Sequence, residues 1–201
     1  MLRLVLLTLL AAATAEVIHE GTCPELKPVN NFNLTAYQGI WYEISKFPNE
    51  SEKNGKCSSA EYKLEGDVVK VKNVHIIDGV KKYIEGTAKL TDDANKAAKL
   101  TVTFKFGEIS RDGSVQVLAT DYNNYAIAYN CKYDDKKKSH QVFVWILSRN
   151  KKLEGDAKTA VDNFIKEHSK EIDSSKLVHT DFSEEACKFT ISSVITEHGK
   201  H

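Results

Sequence analysis

Beyond its first fifteen residues the sequence holds no run approaching 18 apolar residues, so no segment is expected to cross a bilayer as a helix. It also lacks an excess of either charge. Lys and Arg number 28 against 28 Asp and Glu, and losing Arg3 with a leader would shift that balance by a single charge. Such a chain has no electrostatic footprint for nucleic acid or an anionic membrane surface. Its four cysteines, Cys23, Cys57, Cys131 and Cys187, include no C-x-x-C pair, which disfavours zinc and thioredoxin-type chemistry. Gly-x-Ser-x-Gly and a phosphate-cradling glycine loop are absent too. No carboxylate pair is recognisable on an inner face; only Glu43 could point inward, beside Trp41. With no residues on which to rest a mechanism, the chain is read as a non-enzyme. It shows neither an internal repeat nor a low-complexity tract.

What is present begins with an export signal. Met1-Leu2-Arg3 is a short positive start, "LVLLTLLAAA" is an apolar run too short to span a bilayer with ease, and Ala13-Thr14-Ala15 is a small-x-small cleavage site. Residues 1–15 are therefore read as a signal peptide and 16–201 as one secreted domain. An even cysteine count in an exported chain implies two disulfides, with three pairings open. Asn33-Leu34-Thr35 and Asn49-Glu50-Ser51 make Asn33 and Asn49 candidate glycosylation acceptors.

From Gly39 to Ser148 turn chemistry divides the chain into eight extended segments, approximately 39–47, 58–64, 67–77, 80–90, 99–106, 114–120, 124–133 and 140–148. Asp78-Gly79 between two alternating runs is a strong hairpin signal, and "RDG" (111–113) and "DDKKK" (134–138) punctuate later runs. Strands at regular spacing with no helix between them predict an antiparallel up-and-down sheet. The longer polar stretch 48–56 reads as a lid at one end. A single helix pattern follows, "DAKTAVDNFIKEHSKEI", with Ala157, Ala160, Val161, Phe164 and His168 on one face and Gly155-Asp156 at its cap. The tail beyond Cys187 reads as loosely held.

Eight antiparallel strands can close on themselves, leaving room for side chains or for one small ligand. Alternation favours the ligand. On the seventh strand the small face, Ala126, Ala128, Asn130 and Lys132, leaves the interior unfilled if it points inward. The bulky face, Tyr125, Ile127, Tyr129, Cys131 and Tyr133, then lies outside. The eighth strand is apolar on both faces, with Phe143, Trp145 and Leu147 on one and Val142, Val144 and Ile146 on the other, as suits a strand covered on both sides.

Three stretches in register carry a family resemblance. "GIWYEI" resembles the Gly-x-Trp motif of lipocalins, "ATDYNNYAIAY" (119–129) their Thr-Asp-Tyr block, and "WILSRN" (145–150) the block that ends in Arg. The implied fold is an all-β, eight-stranded antiparallel up-and-down lipocalin barrel with one C-terminal α-helix packed outside. In it Trp41 forms the barrel floor and Arg149 lies over its indole. "CPELKPVNNFN", "FPNESEKNGKCSSAEY", "YIEGTA", "AKTAVDNF" and "DFSEEAC" further resemble the insect bilin-binding, insecticyanin-like group. That likeness implies the disulfides Cys23–Cys131 and Cys57–Cys187, each worth roughly 2–4 kcal/mol.

By the same likeness the ligand is a bilin, biliverdin, held non-covalently as a pigment in body fluid. An open-chain tetrapyrrole needs apolar walls, a few polar groups for its N–H and C=O atoms, and cations or an open mouth for its propionates. Phe104, Phe106, Phe143, Trp145 and Ile84 are the candidate wall, with Tyr62 also facing in. Asn73, His75, Asn130 and Gln141 are the candidate polar contacts. Lys132, with Lys82, is placed for propionates. His75 has no companion at ligand spacing, so no metal is expected. Another apolar cargo such as a fatty acid, hormone, odorant or carotenoid is the first rival, and an enzyme acting on a lipid or on haem the second. Homo-oligomer formation is left open.

Overall fold

A computed structural model describes residues 16–196. The expected signal peptide, residues 1–15, lies outside them.

Eight strands form the body: β2 (Gly39–Lys46), β3 (Lys56–Glu65), β4 (Val68–Ile77), β5 (Val80–Leu90), β6 (Lys99–Phe106), β7 (Ile109–Thr120), β8 (Tyr125–Asp134) and β9 (Ser139–Ser148). Each pairs antiparallel with the next, and β9 returns to β2, so the sheet closes into a barrel. Closure removes the exposed edges that would invite aggregation. Three short strands decorate it. β1 (Ile18–Glu20) pairs with β9, β10 (Val178–His179) with β2, and β11 (Ile191–Val194) runs parallel to β5. As far as residue 196 the tail is thus better held than its sequence indicates: Ile195 N–H donates to the Tyr83 carbonyl at 2.7 Å, and β11 is pinned along β5; residues 197–201 lie outside the described residues.

The one long helix among the described residues, α2 (Gly155–Glu167), packs outside β8 and β9. It ends five residues before the expected Ile172, whose N–H closes a turn onto the His168 carbonyl. Glu154, not Gly155-Asp156, occupies its N-cap, without a side-chain bond. Its buried face is Val161 and Ile165, with Phe164 alongside. Against it lie Ile127, Tyr129, Val142, Val144 and Ile146, the outward faces of β8 and β9. Each such side chain removed from water stabilises by about 1.5–3 kcal/mol before entropy is counted.

Two disulfides tie the ends of the chain to this frame. Cys23–Cys131 spans 5.9 Å between Cα atoms and joins the N-terminal segment to β8; Cys57–Cys187 spans 5.3 Å and joins β3 to the C-terminal segment. No cysteine remains free.

The closed end explains the Gly-x-Trp spacing. Asn33 caps the short helix α1 (Leu34–Tyr37), accepting from the Ala36 N–H. The Tyr37 carbonyl then accepts the Trp41 indole N–H at 2.9 Å, satisfying the polar atom of a side chain with no exposed surface. Arg149 lies 3.6 Å from the indole centroid and donates to the carbonyls of Ile40, Tyr122, Ala36 and Tyr37. Gly39 has φ +95°, and a Cβ there would come within 3.3 Å of the guanidinium. Glycine two residues before the tryptophan therefore lets the arginine seal the floor.

Candidate functional site

Strand register turns the alternation into a map. Ala126, Ala128, Asn130 and Lys132 of β8 stand opposite Leu147, Trp145, Phe143 and Gln141 of β9. Asn73 and His75 of β4 stand opposite Ile84 and Lys82 of β5, and Gly86 faces Phe104 of β6. Tyr62 of β3 pairs with Val71 of β4. All these positions share the inward face, because side chains alternate strictly along a regular strand.

Distance from the open end orders them. Near the open-end turns lie Phe106, Lys132, Gln141 and His75, with Lys82. One inward step deeper on their strands are Phe104, Asn130, Phe143, Asn73 and Ile84, and deeper on β9 is Trp145. Tyr62 lies toward the floor, its ring 5.3 Å from that of Tyr37, which in turn packs on Trp41. The rings of Phe143 and Trp145 are 6.0 Å apart and nearly parallel, at 12°.

The inward face is less sealed than the outward one. Val142, Val144 and Ile146 of β9 are buried, whereas Gln141, Phe143 and Trp145 retain partial exposure inside a closed barrel. Interior side chains that remain accessible mark an unfilled lumen toward the mouth; nearer the floor the interior is packed, and the small Ala126 and Ala128, expected to leave space, are buried there with Leu147, Val69, Val71 and Val102. Two buried amide atoms there, Asn73 Oδ1 and Gln141 Nε2, have no hydrogen-bond partner in the protein. A donor and an acceptor left bare in an apolar wall are costly unless a guest meets them. Asn130 is partly committed, since its Oδ1 accepts from Ser114 Oγ at 2.9 Å. Gly86 contributes less space than its size implies: a Cβ there would meet the backbone carbonyl oxygen of Thr103 first and then the Phe104 ring at 2.7 Å, so the neighbouring strand already fills the gap.

A charged cluster completes the interior wall. A β-bulge between Glu43 and Ser45 breaks the alternation of β2 and turns Lys46 inward, opposite Trp145. Lys46 Nζ lies 2.9 Å from Glu43 Oε1 and 3.0 Å from Glu52 Oε2. Glu52 comes from the lid, whose 3₁₀ turn (Glu50–Glu52) is capped by Asn49: Asn49 Oδ1 accepts from the Glu52 N–H, and Asn49 Nδ2 donates to Glu52 Oε2 at 2.8 Å. Trp145 Nε1 donates to the same Oε2 at 3.2 Å. Glu43 also accepts from Thr180 Oγ1 at 3.2 Å.

Burial, reinforced by the nearby Glu52, pushes the Glu43 carboxyl up to about 7. Burial acts on Glu52 in the same sense, but Lys46 and the hydrogen bonds of Asn49 and Trp145 outweigh it and hold Glu52 below the usual carboxylate range. Lys46 is held above its ordinary value because Glu52 and Glu43 overcome its burial. Burial lowers His75, favouring the neutral ring, and raises Tyr62 to about 12, with Glu52 adding to the effect.

Lys46 and Glu52 escape a period-2 reading, the first because of the bulge and the second because it comes from a loop. The spacing Asn49-x-x-Glu52 is a capping pattern and was the available signal. That cap also separates the two sequons. Asn33 is exposed, whereas Asn49 is buried and its Nδ2 is engaged with Glu52. A cleft of about 1050 Å³ behind the lid, between it and the C-terminal segment, reaches Lys46 and Glu52 from the other side; none of the sequence-predicted wall residues lines it. The barrel lumen, and not this cleft, collects them.

A closed barrel, packed at its tryptophan–arginine floor and accessible inside toward a lidded mouth, defines a protein that encloses a small apolar molecule. The profile of the lipocalin / cytosolic fatty-acid binding protein family matches residues 38–184, and the chain belongs to that family. It is 51% identical to the bilin-binding protein of Pieris brassicae over 185 residues, 92% of this chain and 97% of that one. It is 45% identical to insecticyanin-B of Manduca sexta over the whole of both chains. The solved structure of insecticyanin from the tobacco hornworm, Manduca sexta, superposes with a TM-score of 0.87 at 46% identity, covering 93% of this chain and all of that one.

Proposed function

We propose that this protein is a secreted carrier that holds a bilin, biliverdin, non-covalently in the barrel and serves as a pigment. The observation that carries the reading is the inward face itself: a partly exposed aromatic wall that contains two unpartnered amide atoms. The names of its bilin-binding and insecticyanin relatives point to the same class of guest.

Each part of such a ligand has a counterpart. Phe143 and Trp145 offer stacked faces for the conjugated chain, and Phe104 and Ile84 extend the wall. Asn73 Oδ1 accepts a pyrrole N–H, and Gln141 Nε2 donates to a terminal carbonyl. Lys132 and Lys82, near the open end, meet the propionates. Both cysteine pairs are oxidised, so no thiol is free to form a thioether to the chromophore, in keeping with non-covalent retention. The role is that of a container: the walls exclude water and hold one conformer, which sets colour. Among the described residues no helix is long and apolar enough to cross a membrane, and no group of side chains is arranged to hold a metal ion.

An absorbance spectrum of the purified protein from its secreted source, before and after addition of biliverdin, tests this. A near-ultraviolet band with a broad red band supports bilin binding. A colourless protein that also fails to take up biliverdin overturns it and moves the function to a colourless apolar ligand.

A further inference from the structure

Beyond the residues expected from alternation, the lumen has a charged element that the wall and its amides do not explain. The lid delivers one carboxylate, Glu52, to the edge of Trp145. Its setting is specific. Asn49 Nδ2, Lys46 Nζ and Trp145 Nε1 all meet Oε2, at 2.8, 3.0 and 3.2 Å, and Oε1 takes none of them. The Glu52 side chain is 22% exposed, whereas those of Lys46 and Glu43 are 9% and 10% exposed. Lys46 is therefore consumed between two carboxylates, while Glu52 Oε1 carries none of the three contacts that fix Oε2.

The indole fixes where that acceptor lies relative to a guest. A flat conjugated ligand stacked on Trp145 sits about 3.5 Å above the ring. Its own edge then runs parallel to the indole edge that already donates to Glu52. An N–H on that edge meets the same carboxylate. A carboxylate or a carbonyl in that place meets like charge or a bare acceptor.

We propose that Glu52 is a ligand-contacting residue that selects for N–H donors, accepting from the pyrrole nitrogens of the bound chromophore and discriminating against apolar ligands that carry only acceptors. The proposal rests on the bilin reading above and adds its specificity determinant. Lys46 and Asn49 act as positioning residues, because they orient the Glu52 carboxylate. The same arrangement sets the ligand's direction. Gln141 and Trp145 are four residues apart on β9, about 13 Å of extended strand. Propionates near Lys132 and Lys82 and pyrrole N–H groups beside Glu52 are thus separated along one wall.

The test titrates intact protein with biliverdin and, separately, with oleate, using wild type and Glu52→Gln. Gln keeps the size and an acceptor oxygen but loses the charge. A hydrogen bond to an ionised partner is stronger than one to a neutral partner, so biliverdin affinity should fall by about ten-fold or more and the red band should shift. Oleate affinity should stay the same or rise. Glu52→Asp, which keeps the charge on a shorter arm, should recover part of the biliverdin affinity. Equal losses for both ligands would mean that Glu52 acts only by closing the lid, and would overturn the proposal. So would unchanged biliverdin binding with an unshifted band. Wild type that takes oleate and refuses biliverdin would overturn the bilin reading and this proposal together, an outcome visible before any variant is made.

Discussion

The two faces of β9 are built from equally apolar residues and have opposite fates. Val142, Val144 and Ile146 look outward and are sealed by Ile127, Tyr129, Val161 and Ile165, so that the face turned away from the barrel axis is the dry one. Phe143 and Trp145 look inward and stay partly accessible. The outer layer excludes water along the whole strand; inside, the floor end is packed as well, with Leu147 buried beside Trp41, Val69, Val71 and Val102, and only the part toward the mouth keeps apolar surface in reserve for a guest. Over residues 141–146, stability and binding are thus assigned to opposite sides of one strand.

The largest test truncates one residue on each side. Ile146→Ala leaves a cavity in a close-packed layer and should cost about 2–5 kcal/mol in denaturant unfolding, while the folded fraction binds biliverdin as wild type does. Phe143→Ala and Trp145→Ala should each cost less stability, because the removed atoms were already partly accessible. They should weaken biliverdin more than Asn73→Ala does, as read by titration. If Trp145→Ala destabilises the ligand-free protein as much as Ile146→Ala, the lumen is part of the core and the division fails.

The pH dependence of folding probes the charged patch in the inner wall, where the fold has taken on a cost. Glu43 titrates at about 7 in the fold against an ordinary 4.5, so the folded protein binds its proton more tightly than the unfolded chain. The stability from this group is fully present below about pH 4.5 and is lost as pH rises through 7. A tenfold difference in proton affinity is worth about 1.4 kcal/mol, so the loss between pH 5 and pH 8 is of the order of 3 kcal/mol. Glu52 acts in the opposite sense: its lowered value contributes stability above the ordinary carboxylate range, lost as pH falls through it. Unfolding curves of Glu43→Gln and wild type should therefore converge at low pH, with the variant gaining as pH rises to 8. A constant gap would show that Glu43 is not titrating in this window.

Arg149→Leu addresses the floor, where the two regions meet. It removes the cation–π contact to Trp41 and donors to four carbonyls, and should cost about 1–3 kcal/mol. Biliverdin affinity should change little, since the guanidinium lies beneath the indole and outside the lumen. A large loss of affinity with intact stability would make Arg149 part of the binding site.

What could be read from the sequence follows the same division. Period-2 alternation is strict along β4, β5, β8 and β9, so Asn73, His75, Ile84, Asn130, Gln141, Phe143 and Trp145 could be placed on one face from the sequence alone. Most strands were legible because their hairpins carry turn residues, and the lipocalin motifs added their closure; the exception is β7, which starts at Ile109 and not at 114, because the turn falls at Gly107-Glu108 and Arg111-Asp112-Gly113 pairs along β6 as strand. Lys46 was not legible, because the bulge that turns it inward depends on the pairing of β2 with β9 and leaves no mark in composition. Glu52 is not legible either, because a loop residue has no period, although Asn49 three residues earlier announces the cap. The hold on the tail is hidden in the sequence for a related reason. "ISSV" has too little apolar content to read as a strand, and it forms one because β5 offers it backbone hydrogen bonds.

The smallest expected effect separates the two faces by its sign. Asn73 Oδ1 is buried without a partner, so the ligand-free protein pays for its desolvation and receives nothing in return. Asn73→Leu replaces the amide with a near-isosteric apolar group. Unfolding of the ligand-free protein should shift by no more than about 1 kcal/mol, toward greater stability. Biliverdin affinity should fall several-fold, because the acceptor for a pyrrole N–H is gone. No substitution on the outward face can produce this pairing, since Val142, Val144 and Ile146 give up stability without touching the ligand. A variant that is both less stable when empty and unchanged in affinity would show that Asn73 serves the fold, and would move the acceptor role to Glu52 alone.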